Sequence, residues 1–145
     1  MVFKNLFSKA ALATACGAAL LLSVDAAVAQ KVKGKSRPAA TKQLMKGIMQ
    51  PNCAGLGASL KDNGPADDDA WSLAQTQAAC LNEMSYLLMD DGRCPDGDWA
   101  NAAKTLREGS EATLKALEKK DLAAAQAAFK QTTTACAACH KVHKK

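Results

Sequence analysis

From residue 39 onward, apolar side chains recur at steps of three and four. Met45, Met49, Cys53, Leu56 and Leu60 form one such stripe over about residues 39 to 61, flanked by Leu44 and Ile48. Trp71, Leu73, Leu81, Met84, Leu87 and Leu88 mark a second, ending near Asp90. Trp99, Ala103, Leu106, Leu114 and Leu117 make a third, and Leu122, Ala125, Phe129, Thr132, Cys136 and Cys139 a fourth. This period gathers apolar residues on one face of an α-helix. Between the stripes stand "DNGPADDD", "DDGRCPDGD" and "EKKD", rich in residues that stop and restart helices. Pro65 and three aspartates suit the positive end of the second helix. Asp98 is expected to cap the third and Asp121 the fourth, while Pro51 should kink the first. The expected fold is all-α. Four amphipathic helices of roughly 20 to 24 residues with short loops fold most simply as an antiparallel up-down-up-down four-helix bundle.

Composition strengthens this reading. Beyond residue 39 the chain is rich in alanine, and only Trp71, Tyr86, Trp99 and Phe129 supply rings. Such a composition favours helices over strands. The front of the chain differs. Lys4 and Lys9 precede an apolar run from Ala10 to Val24, followed by "AVA" at residues 27 to 29. This is the pattern of a secretory signal peptide over residues 1–29, cleaved after Ala29. An apolar run of about 15 residues is too short for a transmembrane anchor. Cys16 precedes the strongest apolar stretch, Leu20 to Leu22, so it reads as part of the discarded signal rather than as a lipidation site. Residues 30–38, "QKVKGKSRP", have no apolar period and read as a flexible basic leader, leaving 39–145 as one helical domain. The protein is expected to be exported to the periplasm, with no stable membrane anchor.

The full chain carries a formal net charge of +5, with lysines concentrated in the leader and at the C-terminus. For an exported protein, nucleic acid is not the expected partner, and the basic ends suit solubility or an acidic protein partner.

The last ten residues, "CAACHKVHKK", carry the chemistry. Cys136, Cys139 and His140 form C-x-x-C-H, the attachment pattern of c-type haem. On a helix, positions i, i+3 and i+4 share one face. Both sulfurs can then reach the haem vinyl groups, and the imidazole can reach the iron. Three other uses compete. A thiol–disulfide motif usually opens a helix after a strand, whereas this one closes a helix. A zinc site could take His143 as a third ligand but lacks a fourth at ligand spacing. A plain disulfide would leave the adjacent histidine unexplained. One covalent haem c is the expected cofactor. No Ser/His/Asp set, P-loop or spaced carboxylate pair appears, so no enzyme activity is expected.

A helical chain of this size closing on C-x-x-C-H resembles the class II c-type cytochromes, the cytochrome c′ and cytochrome c556 group. The resemblance covers about Ala39 to Lys145 and implies a periplasmic four-helix bundle with haem near the C-terminal end of helix four. The family's closing pattern, C-x-x-C-H-x-x-aromatic-basic, reads here as "CAACHKVHK". Lys144 takes the basic position beside the proximal imidazole. His143 replaces the aromatic residue, and its side chain is expected in solvent. In the family's helix-one stretch, R-x-x-x-M/L-K, "TKQLMK" places Met45 at the distal position and Thr41 at the arginine. The arginine's role towards a haem propionate then falls to Lys42 or is absent. With methionine on the iron, as in cytochrome c556, the resemblance implies an electron carrier. With the distal face open, as in cytochrome c′, it implies binding of nitric oxide or carbon monoxide.

Bundle geometry points to Met45 independently, because the start of helix one lies beside the end of helix four. A Met/His pair is a standard haem arrangement. Met49 and Met84 read as core filling. An acidic redox partner would meet Lys141, Lys144 and Lys145. Family members are often homodimers through helices one and two. Of the remaining cysteines, Cys53 and Cys80 fall near mid-bundle and are the expected bridge, with Cys94 free or intermolecular. Gly109 either admits a close neighbour or is a tolerated weakness, and Trp99 is core at the haem end.

Overall fold

A computed structural model describes residues 33–144. The signal-peptide reading of residues 1–29, the start of the leader and Lys145 lie outside the described residues. Within them the chain is all-α, with four helices and no strand, and an isolated antiparallel bridge joins Lys33 to Ala40. No helix among the described residues is long and apolar enough to cross a membrane.

The first helix, α1, runs through three contiguous stretches, Thr41–Leu44, Met45–Met49 and Gln50–Ser59. At its start the Ala40 N–H donates to Gln43 Oε1 at 2.8 Å. The middle stretch is a π-helical turn, in which the Gln50 N–H reaches back five residues to the Met45 carbonyl. Pro51 explains its position. A proline offers no N–H to the carbonyl four residues back and crowds it with its ring. One widened turn absorbs that mismatch. The disturbance expected at Pro51 therefore appears just before it.

Helix α2 is Asp68–Leu87, α3 is Gly97–Glu118 and α4 is Leu122–His143. Asp67 caps α2 by accepting from the Ala70 N–H, and Asp121 caps α4 by accepting from the Ala124 N–H. The α3 cap is Asp96, whose Oδ1 accepts from the Trp99 N–H at 2.9 Å, and not Asp98. Asp98 instead lies in the first turn, where its charge still complements the helix dipole.

Neighbouring helices are stitched by side chains that reach foreign carbonyls. From α2, Gln75 Nε2 donates to the Leu117 carbonyl at 3.3 Å and Asn82 Nδ2 to that of Arg107 at 3.0 Å. From α4, Gln126 Nε2 donates to the Leu60 carbonyl at 2.7 Å. Helices α3 and α4 approach closely at Gly109. A Cβ there would lie 2.8 Å from both the backbone nitrogen and Oγ1 of Thr132. Leu56, Leu81 and Leu117 have no exposed surface and centre the core. Buried hydroxyls return to their own helix, as Ser110 Oγ does to the Leu106 carbonyl and Thr113 Oγ1 to that of Gly109, both at 2.7 Å. That disposes of polar groups the core could not otherwise hold.

The α2–α3 loop is pinned to the chain entering α1. Arg93 is 1% exposed and donates through Nη1 to the Ala39 carbonyl at 2.8 Å. Asp91 sits in the left-handed region (φ 60) and accepts from three groups of the basic leader. These are the Ser36 N–H at 2.8 Å, the Ser36 hydroxyl at 3.0 Å and the Arg37 N–H at 3.0 Å.

Candidate functional site

The first turns of α1 and the last turns of α4 bound a cavity of about 540 Å³, with α3 forming part of the wall. Met45, Cys136, Cys139, His140 and Lys144 all line it. The sequence-predicted site residues thus come together in one place. A ligand pocket of this kind is apolar with a few placed polar groups, and typical volumes are roughly 300–1,000 Å³.

Each wall has a local cause. Cys136, Cys139 and His140 share a face of α4 because they follow at i, i+3 and i+4 in a regular helix. Met45 opens the π turn and Met49 closes it, and both face the cavity. Met84 does not; it is 2% exposed in the core, as expected of a filler. Trp99, Ala102, Ala103 and Leu106 present the α3 wall. Trp99 is held by its indole N–H, which donates to the Leu88 carbonyl at 2.8 Å. At the rim stand Lys42, Lys46 and Lys144, and among the described residues no carboxylate side chain lines the cavity.

His143 departs from expectation. Its side chain is buried, not in solvent, and lies edge-on to Trp99 with ring centroids 5.2 Å apart. Its Nε2 stands 3.5 Å from Asp96 Oδ1, the same oxygen that caps α3. The reason is helical phase. His143 follows Cys136 and Cys139 on the same stripe, so it turns inward and anchors the last turn of α4. This packing ties down the last turn of α4.

The cysteines differ as well. Cys53 and Cys80 are both free, and no bridge joins them. Cys53 instead lines the cavity, where its thiol meets that of Cys136 in a side-chain hydrogen bond. Sequence reasoning placed Cys53 correctly on the inner stripe of α1 but chose the wrong neighbour. Cys94 donates from Sγ to the Asp96 carbonyl at 3.4 Å.

The ionisation of the site follows from these contacts. The bond to Cys136 lowers the Cys53 thiol below its ordinary range, against the opposing effect of burial. The same bond, then burial, raises Cys136. Burial first, and the Asp96 charge second, push Cys139 up to about 11. The His140 ring keeps solvent contact, yet desolvation at the cavity rim and then the Lys144 charge lower its pKa. Both effects favour the neutral imidazole, the form that binds a metal. Among the described residues no group of three or more His, Cys, Asp or Glu side chains is placed to hold a metal ion.

The donor set and the cavity suit a large, flat, apolar group with anionic edges. Two thiols and an imidazole are aligned on one helix, a thioether faces them from another, and three lysines ring the opening. Comparison with protein-family models, curated proteins and solved structures finds no match to this chain.

Proposed function

We propose that this protein is a periplasmic electron carrier with one covalently attached haem c, of the kind the class II c-type cytochromes represent. The observation that carries this reading is one apolar cavity lined by Cys136, Cys139, His140 and Met45 together. In this reading the helices form an antiparallel up-down-up-down bundle. Pairs such as Gln75 with Leu117 and Asn82 with Arg107 support it, since numbers rise along α2 as they fall along α3. The export signal over residues 1–29 supports a periplasmic location, where covalent attachment keeps a cofactor from diffusing away.

Cys136 and Cys139 would form the thioethers, with His140 and Met45 as the two axial ligands. When bound, the haem supplies one-electron redox chemistry between ferric and ferrous iron. The chain's own residues supply the setting. Trp99, Leu106 and Met49 exclude water, while Lys42, Lys46 and Lys144 stand where they can neutralise propionates. Lys141 and Lys144 at the end of α4 would orient an acidic redox partner.

The test is to express the chain with haem-maturation machinery and record ferric and ferrous spectra with and without carbon monoxide. Sharp ferrous bands that carbon monoxide leaves unchanged are expected, and Met45→Ala should convert them to a high-spin, carbon monoxide-sensitive spectrum. A wild-type protein already high-spin and sensitive would remove Met45 from the iron and favour a five-coordinate gas-binding protein of the cytochrome c′ kind. A colourless product would overturn the haem reading itself.

A further inference from the structure

The cavity holds one reactive group for which electron transfer has no use. Cys53, from α1, faces the attachment cysteine Cys136 across the cavity, and the strongest influence on each thiol is the other. Both cysteines are free, half-buried and line the cavity. An exported protein meets an oxidising compartment, where neighbouring thiols tend to pair. The alternative partner for Cys136 is Cys139, three residues on in a regular helix. Residues at that spacing hold their Cβ atoms about 5–6 Å apart, whereas a disulfide needs roughly 3.5–4.5 Å. Closing the Cys136–Cys139 bridge therefore requires α4 to distort near its end. Cys53 comes from a different helix, so a bridge to it asks no such distortion of α4.

We infer that the haem-free protein closes a Cys53–Cys136 disulfide across the cavity, a redox-controlled modification that withholds Cys136 from haem attachment until it is reduced. The oxidant is an external disulfide, such as oxidised glutathione or the disulfide of a thiol oxidoreductase. The Cys53 thiolate attacks one of its sulfurs and expels a thiolate, leaving a mixed disulfide on Cys53. Cys136 then loses its proton and attacks the Cys53 sulfur, expelling the second thiolate. The protein gives up two protons and two electrons, and one external disulfide becomes two thiols. The bridge and the loaded state exclude each other, because a Cys136 thioether has no thiol left to oxidise. The Cys136 thiol beside it lowers the Cys53 pKa, which suits Cys53 to make the first attack.

The disulfide rests on the placement of Cys53 and Cys136 and does not need the haem, whereas its effect on loading rests on the haem reading. The experiment separates the two. The full chain, expressed without haem-maturation machinery, is incubated with oxidised glutathione, alkylated, and digested with trypsin. Trypsin leaves Cys53 in residues 47 to 61 and keeps Cys136 and Cys139 together in 131 to 141, so fragmentation must identify the linked sulfur. The expected result is a peptide pair joined at Cys53 and Cys136, with Cys139 alkylated. Recovery of a Cys136–Cys139 bridge, or of alkylated Cys53, overturns the inference. The oxidised chain and the same chain after reduction are then offered haem. Covalent attachment only after reduction is expected, and equal attachment to both would overturn the gating role. Should the reduced chain also refuse haem while the Cys53–Cys136 bridge forms, the proposed function falls and the disulfide stands.

Discussion

Single side chains do unequal work around the cavity. Trp99 closes its α3 wall while fixing the α2 terminus through the Leu88 carbonyl. Trp99→Phe keeps the ring but leaves that buried carbonyl without its donor, which should cost about 1–3 kcal/mol. Chemical denaturation of the haem-free and loaded proteins would measure it; an unchanged midpoint would show the bond to be replaceable. Asp91 is a second case. Desolvation works against its charge, but the N–H groups of Ser36 and Arg37, the Ser36 hydroxyl and the Arg93 charge prevail and lower its pKa. A depressed carboxyl stabilises the docked form above its unfolded pKa of about 3.9. That contribution is lost as pH falls through the lower, folded value. Amide-exchange protection at Ser36 and Arg37 should therefore fade in acid below roughly pH 4 while protection within α3 persists. Asp91→Asn should remove it at neutral pH.

Among the elements, α3 and α4 form the most closely packed pair, and Gly109 sets how close they come. A methyl group at Gly109 would meet the Thr132 backbone, which cannot rotate away. An isolated helical Gly→Ala change gains about 1 kcal/mol from propensity. Here overpacking should exceed that gain and leave a net loss of about 1–3 kcal/mol, read as a lower melting temperature. A higher melting temperature would mean that the helices can separate at little cost. Helix α4 also ends against α3, through His143 on Trp99 and near Asp96. The same contact that orders the chain end holds Cys139 and His140 at the cavity rim. In α1, the π turn before Pro51 turns Met45 and Met49 to the cavity and sets the phase in which Cys53 follows them.

For the whole molecule, charge distribution matters more than net charge. Lys42, Lys46 and Lys144 come from the two helices that bound the cavity opening, and among the described residues no carboxylate side chain lines the cavity beside them. Electrostatic attraction of this kind accelerates encounter more than it strengthens the final complex. Under the proposed function, oxidation of the ferrous, haem-loaded protein by ferricyanide, an anionic oxidant, should slow with rising ionic strength. Changing all three lysines to glutamate should slow it on the order of 10-fold at low salt and flatten the salt dependence. Rates unaffected by both changes would place the electron exit elsewhere on the surface.

The sequence by itself determined which residues share a helix face, because a period of three and four is a local property of the backbone. Four helices and the alignment of Cys136, Cys139 and His140 were legible on that ground, and Asp121 was legible as a cap from the break before the fourth stripe. Asp98 was misread as a cap because Asp96 and Asp98 satisfy the same local rule, and only the bond to the Trp99 N–H chooses between them. The tertiary structure alone decided what each face meets. Cys53 faces Cys136 rather than Cys80, and His143 turns inward. Arg93 and Asp91 tie a loop to a distant leader, and Gly109 admits Thr132. These outcomes depend on helix rotation and spacing, which many small contacts settle together and no single window of sequence contains.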